Sequence, residues 1–457
     1  GSMITQTFTY PEVTTIDTYY TNDKGYLITP EKLEYGSGYS LVEVSAPYGY
    51  VLNSDPVYFD VTADNAAEEN AVTVVEVTKP NTAQKGIIKI SKSGEAFSTV
   101  TETGGIYQPV FAVQGLSGAV YEITAAEDIY TLDGTLRYAA GETVDTVTTD
   151  GTGLAESKPL YLGKYTIREI TAPLGMVLNT ETRTAELVYA GQEIEFTETA
   201  ASFYNDRQKA AVSLNKIMER NEKFGIGSNG EITAVTFGLY AAENLTAADG
   251  SVIPADGLLE IVSVDENGYA VCKTDLPFGN YYLKEISTDC HYMISDSKYP
   301  IAFAYAGQDI SLVEIKANEG RPIENNLIYG EIHGLKKDDG GKPLGGALIG
   351  LFACDTTDFT KGAAILTATS AEDGSFSFAE VPYGNYIIRE IESPTGFVLS
   401  DEAFAVCVDK DEAVIEVEIE NTLIRGTVAL TKVDKDYPDH KLLGAIFHVY
   451  RDTDGDK

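Results

Sequence analysis

Three polar residue types recur on rows of the sequence that are otherwise apolar, and together they could remake an amide. The strings GIIKISK (86–92), AAVSLNK (210–216), GEIHGLK (330–336) and GTVALTK (426–432) each end on a lysine. In an extended strand, residues two apart share a face. Lys92 therefore continues the row of Ile88 and Ile90, Lys216 that of Val212 and Leu214, and Lys432 that of Val428 and Leu430. Lys336 follows Ile332 through Gly334. Glutamates behave alike: Glu169 lies on the row of Tyr165 and Ile167, and Glu390 on that of Tyr386 and Ile388, while Arg168 and Arg389 point the other way. Ile415, Val417 and Ile419 lead to Asn421 in the same manner. A buried, unpaired charge is costly, so these groups must meet. Burial disfavours the charged forms of both amine and carboxylate. A neutral amine is a nucleophile, and a carboxamide polarised by a carboxylic acid is an electrophile. The arrangement permits lysine to attack asparagine while glutamate shuttles the proton; ammonia leaves and an isopeptide bond remains. The same rows equally fit a buried Lys–Glu ion pair capped by asparagine, with no covalent bond.

The elements that must hold these residues come in repeats. The glutamate sits in GYSLVEVSAPYGY (38–50), GKYTIREITAPLGM (163–176), GNYYLKEISTDCHY (279–292) and GNYIIREIESPTGF (384–397). Glu43, Glu169, Glu285 and Glu390 are spaced by 126, 116 and 105 residues, the size of a small domain. Turn signals precede each block at Asp23-Lys24-Gly25, Asp150-Gly151, Glu266-Asn267-Gly268 and Asp373-Gly374. The lysine strings open each module, and Asn81, Asn205, Asn325 and Asn421 close it. The expected organisation is a partial first module (1–84), three complete modules (85–208, 209–328, 329–424) and the opening strands of a fifth (425–457). Short strands with regular turns predict an all-β chain, a tandem array of antiparallel β-sandwiches arranged as a rod.

Composition agrees and excludes alternatives. Of 457 residues, 43% are hydrophobic, enough for packed cores, and the 29 tyrosines with no tryptophan favour strands. A net charge of −37 opposes nucleic acid and anionic lipid as partners. Cys272, Cys290, Cys354 and Cys407 form no CxxC pair; disulfides and buried free thiols both remain open. The string DTDGD (452–456) lacks the glycine that an EF-hand loop needs at its sixth position, so no metal is expected, nor any cofactor. No nucleophile elbow, phosphate loop or glycosidase-type carboxylate pair occurs, so no enzyme is expected beyond the isopeptide chemistry.

With these blocks in fixed order, the chain resembles the Cna B-type (SpaA-like, prealbumin-like) repeat domains of Gram-positive adhesins and pilins. The resemblance implies spontaneous Lys–Asn isopeptide bonds promoted by glutamate, here Lys92–Glu169–Asn205, Lys216–Glu285–Asn325 and Lys336–Glu390–Asn421. Lys89 and Lys337 are rivals of the wrong parity. Module three departs from the pattern: Thr288-Asp289-Cys290-His291 replaces Pro-x-Gly, and Asn326 competes with Asn325. Glu43 and Asn81 have no lysine partner in residues 1–20, and Lys432 has no glutamate or asparagine after it. The opening Gly1-Ser2-Met3 reads as an added leader and the chain as an excised fragment. A monomer is expected, with head-to-tail complementation between copies as the alternative. The resemblance implies a stalk of a surface adhesin or pilus-like protein, extracellular and wall-attached through an anchor outside this fragment. The other reading is a binding module for a host matrix protein or glycan, with the long insertion at 93–115 as the place for the site.

Overall fold

The structure is a computed structural model that describes residues 1–8, 13–63, 66–67 and 72–453. Among these residues strands dominate, and the only helical pieces are two short 3-10 turns, Glu231–Ala234 and Ala317–Gly320. Each complete module is a sandwich of two sheets. In module two the opening strand Lys85–Thr103 pairs antiparallel with Leu154–Glu156 and Leu160–Tyr161. On its other side it pairs parallel with the closing strand Phe196–Asn205. The facing sheet runs in the order Thr143–Thr148, Val120–Ala125, Gly163–Thr171, Thr182–Leu187, all antiparallel.

Modules three and four repeat the plan. Lys209–Met218 runs parallel to Leu312–Lys316 and Ile323–Asn325, and Tyr329–Asp338 runs parallel to Ala413–Asn421. The purely antiparallel sandwiches that were expected are therefore not found: in each complete module the opening strand runs parallel to the closing strand, which in module three comes in two pieces. The reason is connective: the chain enters at one end of a module and leaves at the other, so its first and last strands lie side by side in the same direction.

Alternation fills the cores. In module two Ile88 and Ile90 of the opening strand meet Tyr121, Ile123, Tyr165 and Ile167 of the facing sheet, all buried. In each complete module the tyrosine four residues before the glutamate places its ring in the core and turns its hydroxyl to a carbonyl four residues upstream, Tyr165 to Tyr161, Tyr281 to Pro277 at 2.6 Å and Tyr386 to Pro382 at 2.9 Å. A buried hydroxyl needs such an acceptor.

One expectation at the ends changes. Module one keeps the hairpin of Gly36–Leu41 and Val57–Val61, with Tyr39 stacked on Phe59. Residues 426–432 and 443–450, expected as strands, form none; Val428, Leu430, Ile446 and Val449 are exposed. A strand is stable only against a partner strand and a covered face, and this segment meets neither. Residues 454–457, with most of the DTDGD string, lie outside the described residues. All four thiols are free, and only Cys272 is half-buried, its pKa pushed up to about 12 by burial.

Candidate functional site: the buried Lys–Glu–Asn clusters

In each complete module the three polar residues are at most 2% exposed. The parallel register is the same throughout. Asn205 pairs opposite Gly94, Asn325 opposite Met218 and Asn421 opposite Asp338, in every case two residues beyond the lysine. The glutamate strand crosses from the other sheet and delivers its carboxylate between them.

In module two Lys92 Nζ lies 3.0 Å from Glu169 Oε1 and donates to Asn205 Oδ1. The Asn205 amide donates to Glu169 Oε2 at 2.9 Å. The Tyr121 hydroxyl adds a longer bond to Glu169 Oε1 at 3.4 Å. Module four matches: Lys336 Nζ donates to Asn421 Oδ1 and sits 3.5 Å from Glu390 Oε1, while the Asn421 amide bonds both carboxylate oxygens at 2.9 Å. Burial pulls Lys92 and Lys336 below the usual lysine range, against the opposing pull of Glu169 and Glu390. A poised amine, a carboxamide and a carboxylate that touches both are the parts amide exchange requires.

Module three brings only two of its residues together. The Asn325 amide donates to Glu285 Oε1 at 2.7 Å and to Thr288 Oγ1 at 3.0 Å. Lys216 instead donates to the carbonyls of Ile217 and Ile323, at 3.2 and 3.1 Å. Asn325 Oδ1 is buried without a partner. Burial lowers Lys216 to a pKa of about 8. Asn325 rather than Asn326 faces the core; Asn326 is exposed and gives its carbonyl to the N–H of Met293.

The incomplete modules form no full cluster among the described residues. Asn81 donates to Glu43 Oε2 at 2.7 Å, with no lysine ion-paired to Glu43 among the described residues, and Lys432 is exposed in the C-terminal segment. Lys89 and Lys337 point outward, as their parity requires, to Glu198 at 2.7 Å and Glu418 at 2.6 Å.

Several backbone devices aim these side chains. A main-chain N–H ten residues beyond each glutamate holds its Oε2: Asn53, Asn179, Ser295 and Ser400, at 2.7–2.8 Å. In modules two and four this leaves Oε1 toward the lysine. A left-handed glycine backs each lysine. Gly153, Gly268 and Gly374 have φ of 83°, 81° and 81°, and their carbonyls accept the N–H of Lys92, Lys216 and Lys336 at 2.6–2.7 Å. A Cβ on any of them would stand 2.1–2.4 Å from the lysine carbonyl oxygen. In module two this residue is Gly153, two places beyond the expected turn glycine Gly151.

The segment after each glutamate block clamps the chain just past the asparagine. Val177 donates to Asp206 O and Val398 to Thr422 O, both at 2.9 Å, and module three keeps the clamp through Met293 despite losing Pro-x-Gly.

Between modules, buried glutamines act as latches. Gln84 donates to Gly191 O and Ile194 O and accepts from the N–H of Ala190. Gln208 does the same with Gly307, Ile310 and Ala306. Their partners are the repeated string Tyr-Ala-Gly-Gln, at 189–192 and 305–308, whose own glutamines reach back to the N–H of Ala46 and Ala172.

A family described as SpaA, prealbumin-like fold domain, matches residues 4–75, 112–200 and 330–423. No curated protein matches the chain. Among solved structures, the Bacillus anthracis TIE protein is 20% identical at a TM-score of 0.51, over 75% of this chain and 52% of that one. This chain thus spans about half the length of that protein, and the likeness is one of fold. BcpA, the major pilin subunit of Bacillus cereus, is 16% identical at a TM-score of 0.33, over 75% of this chain and 100% of its own. The full-length major pilin SpaD of Corynebacterium diphtheriae is 16% identical at 0.19, over 75% and 98%.

Proposed function

The chain belongs to the SpaA family of prealbumin-like fold domains, and from that premise we propose that it is a stalk segment of a Gram-positive surface adhesin or pilus-like protein, hardened by amide bonds between Lys92 and Asn205 and between Lys336 and Asn421. The observation that carries this reading is the placement of each lysine amine on the asparagine carboxamide, with a glutamate against both, sealed from water. The reaction balances without a co-reactant. The neutral amine attacks Asn Cγ; the Nζ–Cγ bond forms and the Cγ–Nδ2 bond breaks. Glutamate takes a proton from Nζ and passes it to Nδ2, which leaves as ammonia, and the carboxylate is regenerated.

Such a bond ties the first strand of a module to its last. Tension on the chain ends then falls on a covalent link instead of a ladder of hydrogen bonds, and no reducible disulfide is needed. A place on the cell surface belongs to the same reading.

Intact mass of the purified chain tests the proposal. The expected result is a deficit of two ammonias, with cross-linked peptides containing Lys92–Asn205 and Lys336–Asn421. A mass equal to that of the sequence would reduce the clusters to buried polar networks and overturn the covalent reading.

A further inference from the structure

The opening strand of module two does not stop at its lysine. It runs on to Thr103, turns at Gly104 and Gly105 and returns as Ile106–Gly115, and this hairpin leaves its own module. Phe97, Val100 and Tyr107 pack against the hydrophobic core of module three, and none of them belongs to the core of module two. The backbone is stitched as well. Ala248 and Asp249 donate to the carbonyls of Phe97 and Ser98, and Val100 N–H bonds Ser251 Oγ at 2.9 Å. Gln108 Nε2 reaches Leu259 O at 2.9 Å, and Ile106 bridges Leu258 in parallel. At the base of the hairpin Arg207, 7% exposed, lies 3.6 Å from the Phe111 ring centroid and pairs with Asp275 of module three and Glu95 of the hairpin.

We propose that the 93–115 hairpin is a brace by which module two completes the core of module three, making the two modules one cooperative unit. The surface it docks on is the edge at 245–263, and its occupant is the preceding module of the same chain. Module three needs such support more than its neighbours, because its lysine does not reach its asparagine. The hairpin also departs one residue after Lys92. If the cross-link reading holds, an amide at Lys92–Asn205 carries tension past residues 93–204, and the brace keeps its grip while the chain is pulled.

Hydrogen exchange on the full chain tests the brace. In the double variant Phe97→Ala/Tyr107→Ala, exchange in 236–263 is expected to quicken by about tenfold or more, since two half-buried aromatic side chains are then lost together from the core. Module four at 348–353 should be unchanged, and the ammonia deficit should stay at its native count, showing that module two still folds. Unchanged exchange in 236–263 would overturn the brace whatever the mass shows. A native chain with no ammonia deficit would remove only the cross-link, leaving the exchange result to stand for the brace. Pulling the chain by its ends adds the second arm: in Lys92→Ala, module three should yield at lower force than in the native chain, and equal forces would overturn the shielding.

Discussion

In module four Lys336 lies on the carboxamide of Asn421, whereas in module three the equivalent Lys216 turns away to the carbonyls of Ile217 and Ile323. Residue types, strand register, glutamate anchor and lysine-backing glycine are the same in both. What differs is the closing strand. Ala413–Asn421 is continuous, but in module three the strand stops at Lys316, turns through Asn318 and Glu319 in the left-handed region, and resumes at Ile323. A threonine hydroxyl also stands where module two has Ala172, and Thr288 takes part of the amide that in modules two and four goes to the glutamate alone. A shared motif thus brings the partners to one place, and the last few ångströms are set by continuity of the strand beside them.

The largest effect that could break this comparison is a lysine deletion. On the cross-link reading, Lys336→Ala removes a closure of 85 residues and Lys92→Ala one of 113. By analogy with disulfides, each should cost its module about 4–5 kcal/mol, read as a fallen calorimetric transition and one ammonia fewer lost. Lys216→Met replaces a buried amine that reaches neither its glutamate nor its asparagine by an apolar chain of similar length, and should leave module three as stable or more so. A loss in module three as deep as that in module four would erase the distinction.

A pH titration sharpens the comparison at intermediate size. With Lys216 lowered to about 8 in the folded state and near 10.5 when unfolded, the unfolded chain binds more protons between these values. Stability of module three should therefore rise from pH 8 to 10.5, by roughly 3 kcal/mol at most, and lie flat below. Cross-linked lysines are amides and do not titrate, so modules two and four should lack this rise. Its absence from module three would mean that Lys216 has been consumed.

The smallest effect is the control for parity. Lys89→Ala and Lys337→Ala break outward-facing pairs and should leave the calorimetric transitions where they are in the native chain, with the ammonia deficit intact.

The buried triads were legible because strand parity is a strict rule: Ile88 and Ile90 assign Lys92 inward and Lys89 outward with no knowledge of the partner strands. The parallel pairing of first and last strands was not, since apolar alternation carries no direction. Gly153 was missed for Gly151 because either glycine suits a turn, and only the approach of the Lys92 carbonyl selects between them. The latch had a signal in the repeated Tyr-Ala-Gly-Gln and in Gln84 and Gln208, which stand three residues after Asn81 and Asn205. The segment 93–115 reads in sequence only as an insertion, because its apolar residues are explained by a neighbouring module and not by its own. The tail at 426–450 reads as strands by pattern, yet pattern cannot supply the sheet it would join.

The parallel pairing of opening and closing strands also fixes how far the array reaches. A chain that enters and leaves along the same direction advances by one strand per module, roughly 33 Å for the ten residues of Lys209–Met218 at about 3.3 Å each. Everything between those strands, about a hundred residues of turns, hairpins and facing sheet, adds girth and no length. Loops can therefore be gained, lost or turned into braces without changing the distance at which the array holds whatever lies beyond it.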